Sequence, residues 1–205
     1  MFTGIIEAIG TVSHFSDQGT NRTFRIFSAL APELKVDQSL SHDGVCLTVE
    51  SVSADIYGVT AVAETLSISG ISQWKPGTRI NLERSLPMNG RLDGHLVQGH
   101  VDAQARCIHI NNQAGSWLIR FEFPEIFNRL VIEKGSIAVN GISLTCFDVS
   151  DKAFSVAIIP YTYEHTNIRD LLPGSMVNIE FDLIGKYVER MVLGALPAAK
   201  TTRST

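Results

Sequence analysis

Two short blocks of the sequence nearly repeat one another: DGVCLT at residues 43–48 and NGISLT at residues 140–145, 97 positions later. In both blocks a glycine follows Asp or Asn, a pair that favours a tight turn between strands. A Leu-Thr run follows, and its residue types are typical of a strand. The two blocks therefore predict the same turn and strand at two places in one chain.

Three further pairs of blocks keep the same order along the chain, at offsets of 95 or 97 residues. The drift of two residues needs only one small loop insertion, and chance rarely keeps four blocks in one order and spacing. The chain is therefore predicted to be an internal duplication of two β-rich halves. The further pairs are residues 2–8 with 97–103, 63–66 with 160–163, and 75–83 with 172–180.

The remaining sequence of each half reads as short β-branched or alternating runs bounded by Gly, Asp, Asn or Pro. Short strands at regular spacing favour a barrel or sandwich over a parallel α/β sheet. After Asp182 the apolar residues Ile184, Val188 and Val192 recur every four residues, which predicts one amphipathic helix that ends at Pro197.

The helix has two open interpretations. Its apolar stripe could cover an open barrel end of its own chain or pack with copies of itself, and we favour the second. The predicted units are residues 1–95, residues 96–182, a helix at 183–197 and a tail at 198–205, which is small, polar and expected to be disordered.

Composition excludes several classes of function. The net charge is -4 with no basic cluster, so nucleic acid is not expected as a partner. The longest apolar run falls short of the ~20 residues of a membrane helix, and the N-terminus lacks the features of a signal peptide. Three cysteines in no CxxC spacing predict reduced thiols in a cytoplasmic protein.

The histidines do not predict a metal site. His95 and His100 are five residues apart, which on a strand places them on opposite faces. No His-Glu-x-x-His motif, paired cysteines or dense carboxylate cluster accompanies them. Gly-x-Gly-x-x-Gly, P-loop and Gly-x-Ser-x-Gly motifs are also missing from the sequence.

The useful signal is where the two halves differ. We interpret the differences as functional groups that diverged on a kept scaffold; the alternative is drift between structural repeats, with His100 an ordinary histidine. A glycine precedes His100, and glycine permits close approach by a ligand. The differing pairs are Ile5 with His100, Cys46 with Ser143, and Asp37 with Lys134.

Two threonines recur instead of differing. Thr48 and Thr145 each end a repeated block, and strand threonines often only satisfy β-propensity. At equivalent points they could instead hydrogen-bond two similar ligands. Two related sites suggest two molecules of one compound.

Several blocks taken together resemble the riboflavin synthase family of the alpha-chain type, in register from about Met1 to Val192. The resemblance implies an all-β fold of two similar six-stranded Greek-key barrels in tandem plus a C-terminal α-helix. It also implies a homotrimer with each active site between the N-terminal barrel of one subunit and the C-terminal barrel of a neighbour. The blocks are MFTGIIE at 1–7, GVCLTV at 44–49, ETL at 64–66, GHLVQGH at 94–100 and NGISLT at 140–145.

The implied reaction is the last step of riboflavin biosynthesis. Two molecules of 6,7-dimethyl-8-ribityllumazine dismutate: one donates a four-carbon unit to the other, giving riboflavin and 5-amino-6-(D-ribitylamino)uracil without a metal or redox cofactor. Two related barrels would hold two copies of one ring system, and stacking them supplies proximity and orientation. The alternative is a non-catalytic lumazine- or flavin-binding relative of the same fold. Because His100, Ser143 and Lys134 are all present, we favour catalysis.

The family pattern implies two ligand shells. The N-terminal barrel's shell comprises Gly4, Ile5, Ile6, Cys46, Leu47, Thr48, Thr60, Ala61, Val62, Ala63, Glu64 and Thr65. The C-terminal barrel's shell comprises Gly99, His100, Val101, Lys134, Ser143, Leu144, Thr145, Ile159, Pro160, Tyr161, Thr162, Tyr163 and Glu164. Phe2 is expected to pack against the ligand and fix the N-terminus, and Asp182 to support the C-terminal site. Asn140 stands where the family commonly has an aspartate, which puts a carboxylate role there in doubt.

The expected acid–base group is His100, since an imidazole titrates near working pH. Thr145 and Ser143 are expected to position it or relay a proton. Cys46 or Ser39 is expected to act as a transient nucleophile or to orient a water.

Overall fold

Twelve antiparallel strands in two groups of six form the body of the computed structural model, which describes the backbone of residues 1–195 and the side chains of residues 1–193. Pro197 and the tail at 198–205 lie outside the described residues. The prediction of two similar β-rich halves is confirmed.

The first six strands close into a barrel in the order β1-β2-β5-β4-β3-β6, and β6 pairs back with β1. Strands that are not consecutive lie side by side, as in a Greek key. A short helix, α1 (Ala63–Ile68), follows the fifth strand. The strands are β1 Ala8–Gln18, β2 Asn21–Phe27, β3 Ser39–His42, β4 Val45–Ser53, β5 Ile56–Ala61 and β6 Arg79–Arg84.

The second six strands repeat this arrangement in the order β10-β9-β12-β7-β8-β11. Here the two edge strands do not form a ladder, but a bridge between Phe147 and Ser155 brings them together, so this barrel is nearly closed. The helix α2 (Pro160–His165) takes the place of α1. The strands are β7 Ala103–Asn112, β8 Trp117–Glu122, β9 Ser136–Val139, β10 Ile142–Thr145, β11 Ala153–Ile158 and β12 Met176–Phe181.

The duplication extends to irregular details of the strands. The register between β1 and β2 shifts between Val12 and His14, and the register between β7 and β8 shifts between Cys107 and His109. A β-bulge bends a strand and increases its twist, which helps a small sheet to curl into a barrel. Each barrel encloses its own apolar core.

The repeated turns at 43–44 and 140–141 meet each other between the barrels. All four residues have positive φ, from 45° at Asn140 to 80° at Gly44, as a tight hairpin turn requires. A Cβ on Gly44 would lie 2.9 Å from the Gly141 nitrogen. These turns therefore serve the contact between the barrels.

A buried polar cluster surrounds the two turns with near-twofold symmetry. The Asp43 carboxylate accepts a hydrogen bond from the Asn81 N–H at 2.7 Å, and the Asn140 side-chain oxygen accepts one from the Asn178 N–H at 2.8 Å. The Asn81 side-chain amide donates across to the Asn140 carbonyl, and that of Asn178 to the Asp43 carbonyl. Asn140 thus fills the structural place that Asp43 fills in the first half, without a carboxylate.

The C-terminal helix α3 (Leu183–Ala195) confirms the predicted helix within the described residues. Asp182 accepts a hydrogen bond from the Ile184 N–H at the start of the helix, and Lys186 forms an ion pair with Asp102 at 2.6 Å. The apolar stripe is exposed: Val188 and Val192 remain 54% and 55% accessible. Within residues 1–193 no side chain therefore covers the stripe. Within residues 1–195 no helix is long and apolar enough to cross a membrane.

Candidate functional site

The segments before the first strand of each half pair with each other. The Phe2 N–H donates to the Val97 carbonyl at 2.7 Å, and the Val97 N–H donates to the Phe2 carbonyl at 3.1 Å. Both side chains are completely buried, together with Ala138 and part of Cys46. Phe2 therefore anchors the N-terminus as expected, but its ring has no exposed surface for contact with a ligand.

Beyond this bridge each segment runs to the barrel of the other half. The Ser143 N–H donates to the Gly4 carbonyl at 2.8 Å, and the Cys46 N–H donates to the Gly99 carbonyl at the same distance. The assignment of residues 4–6 to the N-terminal shell and residues 99–101 to the C-terminal shell was therefore wrong. The reason is that the chain crosses between barrels before each first strand begins.

The side chains that follow these glycines confirm the exchange. Ile6 packs against the core of the C-terminal barrel, and Val101 is part of the core of the N-terminal barrel. Each half thus completes the surface of the other.

Glycine is required at both crossing points. Gly4 and Gly99 have φ of 77° and 81°, a region that favours glycine. A Cβ would lie 2.5 Å from Ser143 Cβ in the first case and 2.6 Å from Cys46 Cβ in the second. The close approach that a glycine beside His100 indicated is therefore an approach to a strand of the same chain, not to a ligand.

Two buried carboxylates hold the crossing segments. Glu83 on β6 accepts hydrogen bonds from the Thr3 N–H and hydroxyl, both at 2.6 Å, and from the Gly4 N–H at 2.9 Å. Glu180 on β12 accepts from the N–H groups of residues 98, 99 and 100 at 2.6, 2.9 and 2.8 Å. Burial raises the pKa of both carboxyls, and these hydrogen bonds oppose that rise only in part. Sequence reasoning missed both residues, although each ends the repeated block 75–83 or 172–180.

One pocket of about 320 Å³ gathers predicted residues from both halves. The exposed His100 shares it with the half-buried Cys46. Within one chain His100 is thus a neighbour of Cys46, whereas Ser143 and Thr145 do not line this pocket. Its lining is Val45, Cys46, Glu64, Thr65, Ile68, Ser69, Gly99, His100 and Val101.

Ser143 has a different histidine as its partner. The Ser143 hydroxyl lies 2.6 Å from Nδ1 of His95, which is only 8% exposed. Burial lowers the pKa of His95, and the charge of Asp182 partly opposes this. Neither His95 nor His100 lies on a strand, so the opposite-face argument was wrong. The sequence signal that could have identified His95 as a site residue is the motif GHLVQGH, which contains it.

The other predicted residues are spread over the two hairpins. Thr48 and Thr145 are exposed on β4 and β10, opposite Ser39 and Ser136. Ser39 lines a separate pocket of about 730 Å³ together with Thr3 and Ile5. The strand threonines thus keep equivalent, accessible positions.

Several predicted shell residues have other surroundings. Leu47 and Ala61 are buried in the barrel core, because alternate residues of a strand point inward. The Thr60 hydroxyl donates to Glu50 on the barrel wall. The Lys134 ammonium lies 5.7 Å from the centre of the Phe147 ring.

The residues that begin the short helices are largely accessible. Val62, Ala63 and Glu64 are exposed, as are Ile159, Pro160, Tyr161 and Glu164, while Leu144, Thr162 and Tyr163 are half-buried. Asp182 lines a groove of about 460 Å³ along α3. In the described part of the chain, no three His, Cys, Asp or Glu side chains are grouped so as to hold a metal ion.

The tandem barrels and their exchanged segments define the class of protein. The family model described as the lumazine binding domain matches residues 3–85 and again residues 98–182. The chain is thus a tandem lumazine-binding-domain protein.

Relatives named as riboflavin synthases refine this class. The riboflavin synthase of Actinobacillus pleuropneumoniae is 37% identical over 194 residues, which cover 94% of this chain and 90% of that protein. The riboflavin synthase of Mycobacterium bovis is 39% identical over 212 aligned residues, with 95% and 100% coverage. The chain belongs to the riboflavin synthase family.

A solved structure supports the fold. LumP complexed with riboflavin matches with a TM-score of 0.82 at 21% identity, over 88% of this chain and 99% of that one. At this identity the likeness shows the fold alone.

Proposed function

We propose that this protein makes riboflavin by transferring a four-carbon unit between two molecules of 6,7-dimethyl-8-ribityllumazine, with 5-amino-6-(D-ribitylamino)uracil as the second product. The observation that carries the proposal is a pair of equivalent hairpins, each completed by a segment of the other half, with Cys46 on one and Ser143 on the other. Similar hairpins suit two copies of one substrate. Different polar groups suit a donor and an acceptor.

Each complete active site lies between the N-terminal barrel of one subunit and the C-terminal barrel of a neighbour in a homotrimer. Two features support this assembly. The stripe around Val188 and Val192 is exposed in the part of the chain that the structure describes. His100 shares a pocket with Cys46 and not with Ser143 or Thr145, so a neighbouring subunit is needed to bring His100 opposite these groups. Stacking two lumazines there supplies the orientation that the reaction requires.

The protein's chemical contribution is proton transfer and positioning. His100, exposed at the pocket rim, is the acid–base group. Thr48 and Thr145 offer hydroxyls at equivalent accessible positions for hydrogen bonds to the two ligands. Cys46 lies beside His100 for a transient nucleophilic or water-orienting role. The substrate's electron-poor ring stabilises the carbanion that forms when its 7-methyl group loses a proton.

A cytoplasmic location goes with this function. All three cysteines are free in the structure, and two of them are buried. Unpaired thiols are typical of proteins from a reducing compartment.

The direct test is to incubate the purified protein with the lumazine and to follow riboflavin by its absorbance. We expect one riboflavin and one pyrimidine for every two lumazines consumed. A non-catalytic binding protein is the alternative, and it would quench lumazine fluorescence without forming riboflavin. Tight binding without product would therefore refute the proposed reaction.

A second test addresses His100. The variant His100→Gln should lower kcat while the dissociation constant of riboflavin, measured by fluorescence quenching, changes little. Equal losses in turnover and binding would mean that His100 only shapes the pocket.

A further inference from the structure

The crossing segment that carries His100 is tied to the C-terminal helix through Asp102, two residues farther along the chain. The Asp102 N–H donates to the Ile179 carbonyl at 3.0 Å, and the Asp102 carboxylate accepts a hydrogen bond from the Phe181 N–H at 2.9 Å. The Lys186 ammonium of α3 lies 2.6 Å from the same carboxylate oxygen. One carboxylate thus contacts both the last strand of the barrel and the helix that follows it.

The ion pair between Lys186 and Asp102 is better shielded from water than the other ion pairs of the described residues. Its side chains are 23% and 22% exposed, whereas every other ion pair there has at least one side chain that is 40% exposed or more. Water screens an exposed pair, while loss of one partner of a shielded pair leaves an uncompensated charge. Lys186 and Asp102 therefore constrain each other's positions.

The first half keeps the same contacts but takes its cation from another place in the chain. The N–H of Glu7, the counterpart of Asp102, donates to the Leu82 carbonyl at 2.9 Å, and the Glu7 carboxylate accepts from the Arg84 N–H at 2.8 Å. The Arg84 side chain supplies the cation, 2.6 Å from this carboxylate. The residue equivalent to Arg84 is Phe181, which is buried in the core of the C-terminal barrel. An acid–cation pair therefore recurs behind both crossing segments, and in the second half α3 provides the cation.

Glu180 connects this pair with His100. It stands between the two residues of β12 that Asp102 contacts, and its carboxylate accepts a hydrogen bond from the His100 N–H at 2.8 Å. Burial raises the pKa of Glu180, and the positive charge of Lys186 is among the effects that oppose this rise. Lys186 thus favours the ionised carboxylate, which accepts the three backbone hydrogen bonds of residues 98–100.

We propose, on the basis of the function proposed above, that Lys186 is a positioning residue that holds His100 at the N-terminal site through two carboxylates. The carboxylates are those of Asp102 and Glu180. Two residues along a helix correspond to a rotation of about 200°, so Lys186 lies on the side of α3 away from Val188 and the exposed stripe. Packing of the stripe in the proposed trimer fixes the helix, and Lys186 extends this constraint to His100.

The test uses the full-length protein with the lumazine as substrate and measures kcat and KM. Lys186→Met removes the charge and keeps most of the length of the side chain. We expect kcat to fall about 10-fold, because a small displacement of a catalytic group is costly, while KM changes less than about threefold. Lys186→Arg, which copies the cation that Arg84 provides in the first half, should restore most of the lost kcat. The control Lys152→Met removes an exposed ion pair with Glu125 and should leave kcat unchanged.

The background His100→Gln decides whether Lys186 acts through His100. In that background Lys186→Met should cause no further loss of kcat, because residues that act as a unit are not additive. Multiplying losses would overturn the inference, and so would equal losses in Lys186→Met and Lys186→Arg, or dissociation of Lys186→Met into monomers in light scattering. If Lys186→Met does not fold, as urea unfolding would show, Lys186→Gln carries the same test. A wild-type protein that makes no riboflavin would instead refute the proposed function.

Discussion

The carboxylate of Glu180 offers the sharpest test of how the exchanged segments build the pocket. It is 2% exposed and accepts three backbone hydrogen bonds, at 2.6, 2.9 and 2.8 Å, from residues 98–100. In Glu180→Gln the amide oxygen can still accept, but the amide nitrogen faces an N–H group that it cannot satisfy. A buried donor without a partner costs about 1–3 kcal/mol, and bonds to charged acceptors lie at the upper end. We expect Glu180→Gln to lower the free energy of unfolding by about 2–4 kcal/mol.

The repeat provides a matched control for this variant. Glu83→Gln removes the equivalent carboxylate, which holds Thr3 and Gly4 on the Ser143 side. Urea unfolding should show a similar loss of stability for both variants. Only Glu180→Gln displaces the backbone of His100, which lines one pocket with Cys46. Only this variant should therefore weaken the protection that riboflavin gives Cys46 against chemical labelling. Equal loss of this protection in both variants, or no loss of stability in either, would refute the reasoning.

Three further predictions follow from other contacts. Gly99→Ala should lower the free energy of unfolding in urea by about 2 kcal/mol or more, because the new Cβ lies 2.6 Å from Cys46 Cβ and the residue has a φ of 81°. The control Gly115→Ala, which has open space around it, should lower it by less than half as much. Equal losses of stability would contradict the close approach. Val188→Glu should convert the proposed trimer into monomers, as measured by light scattering, because it places a charge in the exposed stripe of α3. The control Glu189→Gln should leave the proposed trimer intact, and trimers in both variants would exclude this stripe as the interface. The third prediction concerns pH. Burial lowers the pKa of His42 from 6.5 to about 4. The contribution of the neutral His42 to the free energy of unfolding is therefore present above pH 6.5 and is lost as the pH falls, by about 2 kcal/mol between pH 7 and 5. The double variant His42→Val/Tyr57→Phe, which introduces the residues that Val139 and Phe154 provide in the second barrel, should remove that loss. Burial raises the pKa of Asp43 to about 7, so Asp43 has the opposite pH dependence, and it does so in the wild type and in the variant alike. The same slope of unfolding free energy against pH in both proteins would therefore contradict the role of His42.

The duplication could be predicted from the sequence because its signals are local. The Asp-Gly and Asn-Gly turns and the strands that follow them depend on conformational preferences of a few adjacent residues. These signals predicted both hairpins and showed that Cys46 and Ser143 occupy equivalent positions in the two repeats. The inward position of Leu47 was also available, since it stands between two outward-facing residues on β4, and the alternation of a strand separates them.

The exchange of residues 2–6 and 97–101 could not be predicted in the same way. The repeat shows that these segments are equivalent, but a pattern of adjacent residues contains nothing about which of two similar barrels a segment contacts. That choice depends on long-range contacts, such as the bridge between Phe2 and Val97 and the carboxylates of Glu83 and Glu180. The glycines were visible in the sequence, whereas the strand that each of them approaches was not.

The exchange changes the meaning of the mismatch between Ile5 and His100. Ile5 does not belong to the N-terminal site, nor His100 to the C-terminal site, because Gly4 lies against Ser143 and Gly99 lies against Cys46. The second half therefore supplies its exposed histidine to the first barrel. The linker supplies the buried His95 to the second barrel. The crossing segments thus give the two similar barrels different acid–base surroundings. The proposed reaction needs such a difference, because one of two identical substrates donates a four-carbon unit and the other accepts it.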